Sequence, residues 1–286
     1  MTPASTTSVS YSMRRGRRSW RITRHVITIV ICAVMAFPIY WMIVTALTPN
    51  SDLIAGVAGY WPRHFDIGNF TQAFAAQPWG RWFLNTVLVG VASVLLTVST
   101  NVLAGYAFAK LAFRGKVLIF FLLLSTMMVP IQVTMVPTFR ITVDLHMFGS
   151  LWGVIIPEVA AAFGIFLSRQ FMMSIPNELL EAARIDGAGH VRTFLRVVLP
   201  LCKPLIAVLV LFNFMFRWND FAWPLIILKN PADYTLPVGL LFLQGQYTVN
   251  YAQMLGMALV TILPMLVLFI ALQRYFVEGL LRSGIR

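Results

Sequence analysis

Polar and ionisable side chains are rare within the long apolar stretches of this sequence, and those that occur there are its candidates for chemistry. Arg217 and Asp220 carry opposite charges three positions apart, so on a helix they are expected to form an ion pair. The amides could hydrogen-bond a polar molecule without adding charge. The residues of this kind are Asn85, Asn101, Gln132, Glu158, Asn213, Arg217, Asn219 and Asp220.

Other residue types that support catalysis lack the spacing that catalysis needs. A phosphate loop requires a glycine five positions before Gly-Lys and a Ser or Thr after it, whereas Gly115-Lys116 is followed by Val117 and preceded at that distance by Lys110. No nucleophile lies in a catalytic constellation, and no metal-ligand spacing links His25, His64, His146 and His190. We therefore expect no enzyme, and no nucleotide, cofactor or metal bound by this chain.

The composition indicates an integral membrane protein. Of 286 residues, 59% are hydrophobic and only 11% are charged, against about a quarter in soluble domains. This excludes disorder, because disordered chains are poor in apolar residues. Two cysteines, Cys32 and Cys202, exclude a disulfide scaffold.

Long apolar stretches predict an all-α protein that crosses the membrane with six helices. A spanning helix needs about 20 largely apolar residues. Residues 25–274 form the membrane domain, between a disordered basic tail, 1–24, and a C-terminal tail, 275–286. The spans are expected at residues 25–47, 83–109, 117–139, 151–172, 201–228 and 254–272.

The basic residues predict the orientation of these spans. Most of the 22 Lys and Arg residues lie before the first span, in the second-to-third and fourth-to-fifth loops, and after the last span. Cytoplasmic loops carry an excess of Lys and Arg, so both termini are expected in the cytoplasm. The net charge of +12 then reflects topology and attraction to anionic lipid, and does not indicate nucleic-acid binding.

Polar groups inside spans are costly and tend to face the interior of the helix bundle. We therefore take Asn85, Gln132, Asn213, Arg217, Asn219 and Asp220 as candidates for a translocation path or its gate. For the pair Arg217 and Asp220 we favour a stabilising role over contact with a solute.

The internal loop 174–200 has its own helical pattern. Asn177 is a plausible N-cap, and Gly187 can adopt the left-handed conformation that ends a helix. A second short helix follows, with Phe194, Val197 and Val198 on its apolar face. The residues alone leave two readings open: a docking element, or an amphipathic hairpin that lies on the lipid surface.

A family resemblance favours the docking element. The positions Glu181, Ala182, Ala183, Asp186, Gly187, Ala188, Phe194 and Pro200 resemble the cytoplasmic coupling loop of ATP-binding-cassette importer permeases. Three further segments agree with the carbohydrate branch of that family: 218–225, 234–240 and 274–280. The chain is similar to the short, second permease of maltose-type and glycerol-3-phosphate-type systems.

The resemblance implies a larger assembly in the cytoplasmic membrane. A different permease would pair with this chain, and a cytoplasmic ATPase dimer that uses ATP and Mg²⁺ would engage the coupling loop. An external binding protein would deliver a sugar. The first alternative is the same machinery for glycerol 3-phosphate, an amino sugar or a polyol. The second is a secondary transporter, which would have inverted repeats that this sequence does not show.

Overall fold

The computed structural model describes residues 9–57, 59–243 and 250–283, and every regular element in these ranges is helical. The α-helices are α1 Val9–Leu47, α2 Asn50–Ile54, α3 Gly68–Ala76, α4 Trp79–Lys110, α5 Lys116–Thr126, α6 Ile131–Asp144, α7 Leu151–Ile155, α8 Ala162–Met173, α9 Asn177–Ile185, α10 His190–Thr193, α11 Leu199–Leu201, α12 Lys203–Trp218, α13 Ala222–Ile227, α14 Leu236–Leu240 and α15 Tyr251–Ser283. Short 3₁₀ turns occupy Ile156–Glu158, Pro231–Asp233 and Leu241–Leu243, and a π-helical turn occupies Phe194–Val198.

Among the described residues, three of the six predicted spans are continuous helices, and the number reaches six if each of three bent helix pairs is one span. Ile22–Leu47, Trp79–Lys110 and Tyr251–Gln273 are long and apolar enough to cross a membrane as single helices. The bent pairs are Lys116–Thr126 with Ile131–Asp144, at 103°, Leu151–Glu158 with Ala162–Met173, at 45°, and His190–Leu201 with Lys203–Trp218, at 76°. In the third pair, Lys203–Trp218 is the part that falls in the predicted fifth span.

Three spans were predicted as continuous and are broken. The stretch 151–172 is interrupted between Glu158 and Ala162. The stretch 117–139 is interrupted before Pro130, which lacks an N–H donor and disfavours helical geometry in the residue before it. The stretch 201–228 ends its main helix at Trp218 and resumes at Ala222. Broken backbone within a membrane is tolerated where it is buried in protein or lines a cavity, so these breaks point to such a place.

The N-terminal segment also differs from the expectation of a disordered tail over residues 1–24. Helix α1 begins at Val9, and residues 1–8 lie outside the described residues. No proline occurs between Val9 and Phe37. Once the apolar stretch has nucleated a helix, each further turn adds hydrogen bonds at low cost, so the helix extends through the basic residues.

The described chain forms two compact units. The first contains the described residues up to Ala73 together with Asn250–Leu259. In it the Asn69 amide donates hydrogen bonds to the carbonyl oxygens of Ala46 and Thr48, at 3.0 Å each. The second unit contains the remaining described residues and holds the candidate site.

Helix α4 is the centre of the second unit, because both α8 and α12 pack along it. Small residues allow the approach of α8. A β-carbon added at Gly105 would lie 2.3 Å from Cβ of Ser168, and one added at Gly164 would lie 1.9 Å from Nδ2 of Asn101. One buried cluster joins α4, α8 and α12 through Val98, Met172 and Leu209.

This close approach predicts the effect of a single methyl group. Gly105→Ala should lower the stability of the detergent-purified protein by about 1–3 kcal/mol, because α8 must move away from α4. Gly80→Ala is the matched control on the same helix, since nothing lies within 4 Å of its added β-carbon. The measurement is the temperature at which half of each variant remains monodisperse. Equal values for both variants would contradict the packing of α4 against α8.

Candidate functional site

A cavity of about 1240 Å³ lies in the second unit, where the broken spans meet. Its walls come from α4, α6, α8, α12 and α13 and from the breaks between them. Of the predicted path residues, the cavity is lined by Gln132, Asn213, Arg217, Asn219 and Asp220. These residues lie on two different spans, so the fold brings together positions that are far apart in the sequence.

Asn85 lies elsewhere and holds a loop. Its side-chain amide donates to the carbonyl oxygens of Ala232 and Tyr234, at 3.0 and 3.1 Å. Next to it, the Thr86 hydroxyl accepts a hydrogen bond from the backbone N–H of Leu236, at 2.8 Å. Asn85 therefore fixes the segment before α14, which explains a buried amide without any contact to a solute.

Among the described residues that line the cavity, the charged side chains belong to one cluster around Arg217. The predicted pair with Asp220 is present, at 3.6 Å between Nη1 and Oδ2, but the closer partner is Glu158, at 2.6 Å between Nη2 and Oε2. The Arg217 side chain is 2% exposed, against 25% for Glu158 and 12% for Asp220. A guanidinium buried this deeply requires compensating carboxylates.

Both halves of this cluster lie where a span is broken. Glu158 ends the 3₁₀ turn after α7, and Asp220 lies between α12 and α13. Helix α4 fixes the first break, because the Thr97 hydroxyl donates to the Glu158 carbonyl oxygen at 3.4 Å and Asn101 Oδ1 accepts from the Ala161 N–H at 3.3 Å. The cluster thus links the two breaks through side-chain charges. Polar groups at such breaks need partners within the protein, because the membrane interior provides none.

The second part of the site is the two-helix loop, and its first helix begins differently from the prediction. The N-cap position belongs to Pro176, so the prediction of Asn177 as N-cap is wrong. The Asn177 side chain is engaged by Lys110 instead, whose Nζ donates to Asn177 Oδ1 at 2.8 Å and to the Ile175 carbonyl oxygen at 2.6 Å. This lysine ties the start of α9 to the end of α4.

Helix α9 ends as the sequence predicted. Gly187 has φ of 76°, in the left-handed region that favours glycine. The Ala188 N–H donates to the Ala183 carbonyl oxygen at 2.9 Å, and the Gly187 N–H donates to the Arg184 carbonyl oxygen at 3.0 Å. This pair of bonds is the Schellman motif, which satisfies the last carbonyls of the helix and redirects the chain.

The loop residues divide into an exposed set and a buried set. Glu181, Ala182, Asp186, Gly187 and Pro200 are exposed, and Ala183 and Ala188 are half-buried. Phe194 is buried against the Tyr106 ring, with 5.0 Å between ring centroids. It packs inward with Leu180 and Val198, so it positions the loop and cannot itself present a docking surface.

Sequence reasoning missed the most exposed apolar side chain of the loop. Ile185 is 87% exposed. Its signal was available: Ile185 lies five positions after the inward-facing Leu180, which is about 140° around a helix. Ile185 therefore projects away from the buried face of the loop. The other exposed apolar residues of the loop are Leu179, Val191 and Leu195.

Comparison with known proteins places the chain among transport proteins. The family described as "Binding-protein-dependent transport system inner membrane component" matches residues 101–278. The arabinooligosaccharides transport system permease protein AraQ of Bacillus subtilis is 33% identical over 93% of this chain and 96% of its own length. The sn-glycerol-3-phosphate transport system permease protein UgpE of Pectobacterium atrosepticum is 32% identical over 95% of this chain and 99% of its own.

Solved structures share the fold. A chain of a bacterial ABC transporter involved in the import of the acidic polysaccharide alginate aligns with a TM-score of 0.81 and 22% identity, over 96% of this chain and 100% of that chain. A chain of a bacterial alginate ABC transporter in complex with alginate pentasaccharide-bound periplasmic protein aligns at 0.68 and 15% identity, over 91% and 94%.

The charge cluster predicts a large effect of removing its cation. Arg217→Met should cost about 3–5 kcal/mol of stability, because Glu158 and Asp220 would stay partly buried without their counter-charge. Adding Glu158→Gln and Asp220→Asn to Arg217→Met should restore much of the loss. Thermal stability of the detergent-purified variants measures both effects.

The surface pair provides the control. Arg81 lies 3.1 Å from Asp233 with its side chain 59% exposed, so Arg81→Met should cost less than about 1 kcal/mol. If Arg217→Met is no more harmful than Arg81→Met, the cluster does not stabilise the two breaks.

Proposed function

Because this chain belongs to the family of binding-protein-dependent transport system inner membrane components, we propose that it is a permease subunit of an ATP-driven importer of a sugar or sugar derivative. The observation that carries the proposal is the exposed loop 174–200, whose coupling residues surround a Schellman turn and whose apolar Ile185 projects outward. Relatives that cover almost the whole chain support it, since the arabinooligosaccharide permease aligns with 93% of this chain, beyond the family match at residues 101–278.

In this proposal the loop converts closure of the ATPase into movement of the spans. The exposed residues of α9 would dock on the ATPase, while Phe194 and Val198 transmit the displacement to the buried cluster that contains Val98 and Leu209. A bend of 76° separates the loop from α12, and the far end of α12 carries Arg217 at the cavity. Docking shifts the equilibrium between two states only if the loop contacts differ between them.

The chain works in this scheme as one part of an assembly. A second, different permease would complete the cavity, and a cytoplasmic ATPase dimer would bind and hydrolyse Mg²⁺-ATP. An external binding protein would deliver the solute. This chain would itself bind no nucleotide and catalyse no reaction.

We further propose that both termini face the cytoplasm. The Lys110 end of α4 is bonded to the start of the coupling loop, so two strongly basic loops lie at the same end of that helix. At the other end of α4, Arg81 pairs with Asp233, in a part of the chain with few basic residues. This separation of basic loops supports the orientation that the positive-inside rule gives.

The coupling loop generates a test of the proposed function. Gly187→Val should abolish solute uptake and weaken co-purification of the ATPase, because a β-branched residue at φ of 76° costs about 1–2 kcal/mol or more and displaces the end of α9. Ile185→Glu should act in the same direction, since it places a charge on the exposed apolar contact. Both variants should still insert in the membrane, because neither residue is buried in the bundle.

Gly115→Val is the matched control. Gly115 also has φ of 76°, but it precedes α5, outside the coupling loop. It should suffer the same backbone strain and keep the ATPase bound. The loop would be an interfacial hairpin, and no docking element, if all three variants retained ATPase and uptake alike.

The orientation generates a second test. In a background without Cys32 and Cys202, a cysteine at Ser51 should react with a membrane-impermeant thiol reagent in intact cells, and one at Ser283 should react only after lysis. Ser51 is exposed in α2, after the first span, and Ser283 ends α15, after the last one. The opposite labelling pattern would contradict the proposed orientation with both termini in the cytoplasm.

A further inference from the structure

One relative is named for uncharged arabinooligosaccharides and another for the anion sn-glycerol 3-phosphate. The charge of the cavity distinguishes these two kinds of solute. Arg217 is the one basic residue among the described residues that line the cavity. Recognition of a phosphate or carboxylate normally uses a cation that the anion can reach. Arg217 is 2% exposed and is bound to Glu158, so it is closed to a solute.

The charge that faces the cavity is therefore negative. The Glu158 side chain is 25% exposed and that of Asp220 is 12% exposed, both more than the cation between them. Repulsion between like charges is weakly screened away from bulk water, so an anion would meet an electrostatic barrier at this wall.

The remaining lining suits an uncharged solute with many hydroxyl groups. Amides of Gln132, Asn213 and Asn219 can donate to and accept from hydroxyls. Exposed rings of Phe163, at 52%, and Phe216, at 54%, offer flat apolar surface to the C–H faces of sugar rings. A volume of about 1240 Å³ has room for an oligosaccharide.

We propose that this wall of the cavity selects uncharged oligosaccharides and rejects anionic solutes such as sugar phosphates and uronates. The Glu158–Arg217 pair sets this preference by burying the cation and leaving a carboxylate at the surface. The proposal rests on the proposed function, because it names the substrate class of the same importer.

The first arm of the test measures the charge of the cavity and needs no transport. The assembled transporter is reconstituted in nanodiscs with Cys32→Ser and Cys202→Ala, and with a reporter cysteine at Asn213, a lining residue. The cysteine is reacted with two methanethiosulfonates, the anionic sulfonatoethyl reagent and the cationic trimethylammonioethyl reagent. Each rate is divided by the rate at which the same reagent reacts with a free small thiol, and the two normalised rates are compared. A cysteine at the exposed Ser51 is the reference.

The anionic reagent should be disfavoured at position 213 on the order of tenfold relative to the reference, as expected for a nearby unit charge. Glu158→Gln should shift this ratio toward the anionic reagent, because it removes one carboxylate and leaves Arg217 paired with Asp220 alone. Asp220→Asn should shift it in the same direction and guards against misfolding of the first variant. Equal ratios at the two sites, or no shift in either variant, would overturn the proposal.

The second arm measures uptake by proteoliposomes with the system's own binding protein. Radiolabelled arabinotriose, which is uncharged, should enter, and sn-glycerol 3-phosphate should not. Uptake of glycerol 3-phosphate would overturn the proposal. Absence of uptake for both probes, with the thiol ratios as expected, would count against the proposed sugar import and support the charge selectivity, so the two failures are distinct.

Discussion

The second unit depends on the compensation of one buried guanidinium at the place where two spans are interrupted. A bilayer offers no water to backbone groups that a broken helix leaves free, so each break needs partners from the protein. Arg217 meets Glu158 from one broken span and Asp220 from its own. The same contact stabilises the interruptions and places their polar residues around a cavity, which an unbroken bundle of helices would fill with side chains.

Helix α12 connects the two parts of the candidate site. Its start packs with the coupling loop through Leu205, which shares a buried cluster with Phe194 and Val198. Its end carries Arg217 to the cavity. Under the proposed function, a displacement of the loop would reach the charge cluster through helix α12 and one bend. Such a short connection suits a subunit that is proposed to couple closure of a cytoplasmic ATPase to a site within the membrane.

Family membership and substrate class rest on different features. Permeases named for a neutral oligosaccharide and for an anionic glycerol phosphate are equally similar to this chain, at 33% and 32% identity. Overall similarity therefore does not separate the two kinds of solute. The cavity wall is where the two classes would differ, because a buried cation and an exposed cation present opposite surfaces to an anion.

The sequence by itself determined the membrane class, the six spans, the helix end at Gly187 and the pairing of Arg217 with Asp220, because each depends on local composition or on neighbours within one helical turn. Only the tertiary structure decided the rest. It assigned Asn85 to a loop and not to the cavity, gave the side chain of Asn177 to Lys110, turned Phe194 inward and supplied Glu158 as the closer partner of Arg217. Each of these outcomes depends on a residue far away in the chain, and the partner of a polar side chain is fixed by which helices meet, which periodicity along one helix does not encode.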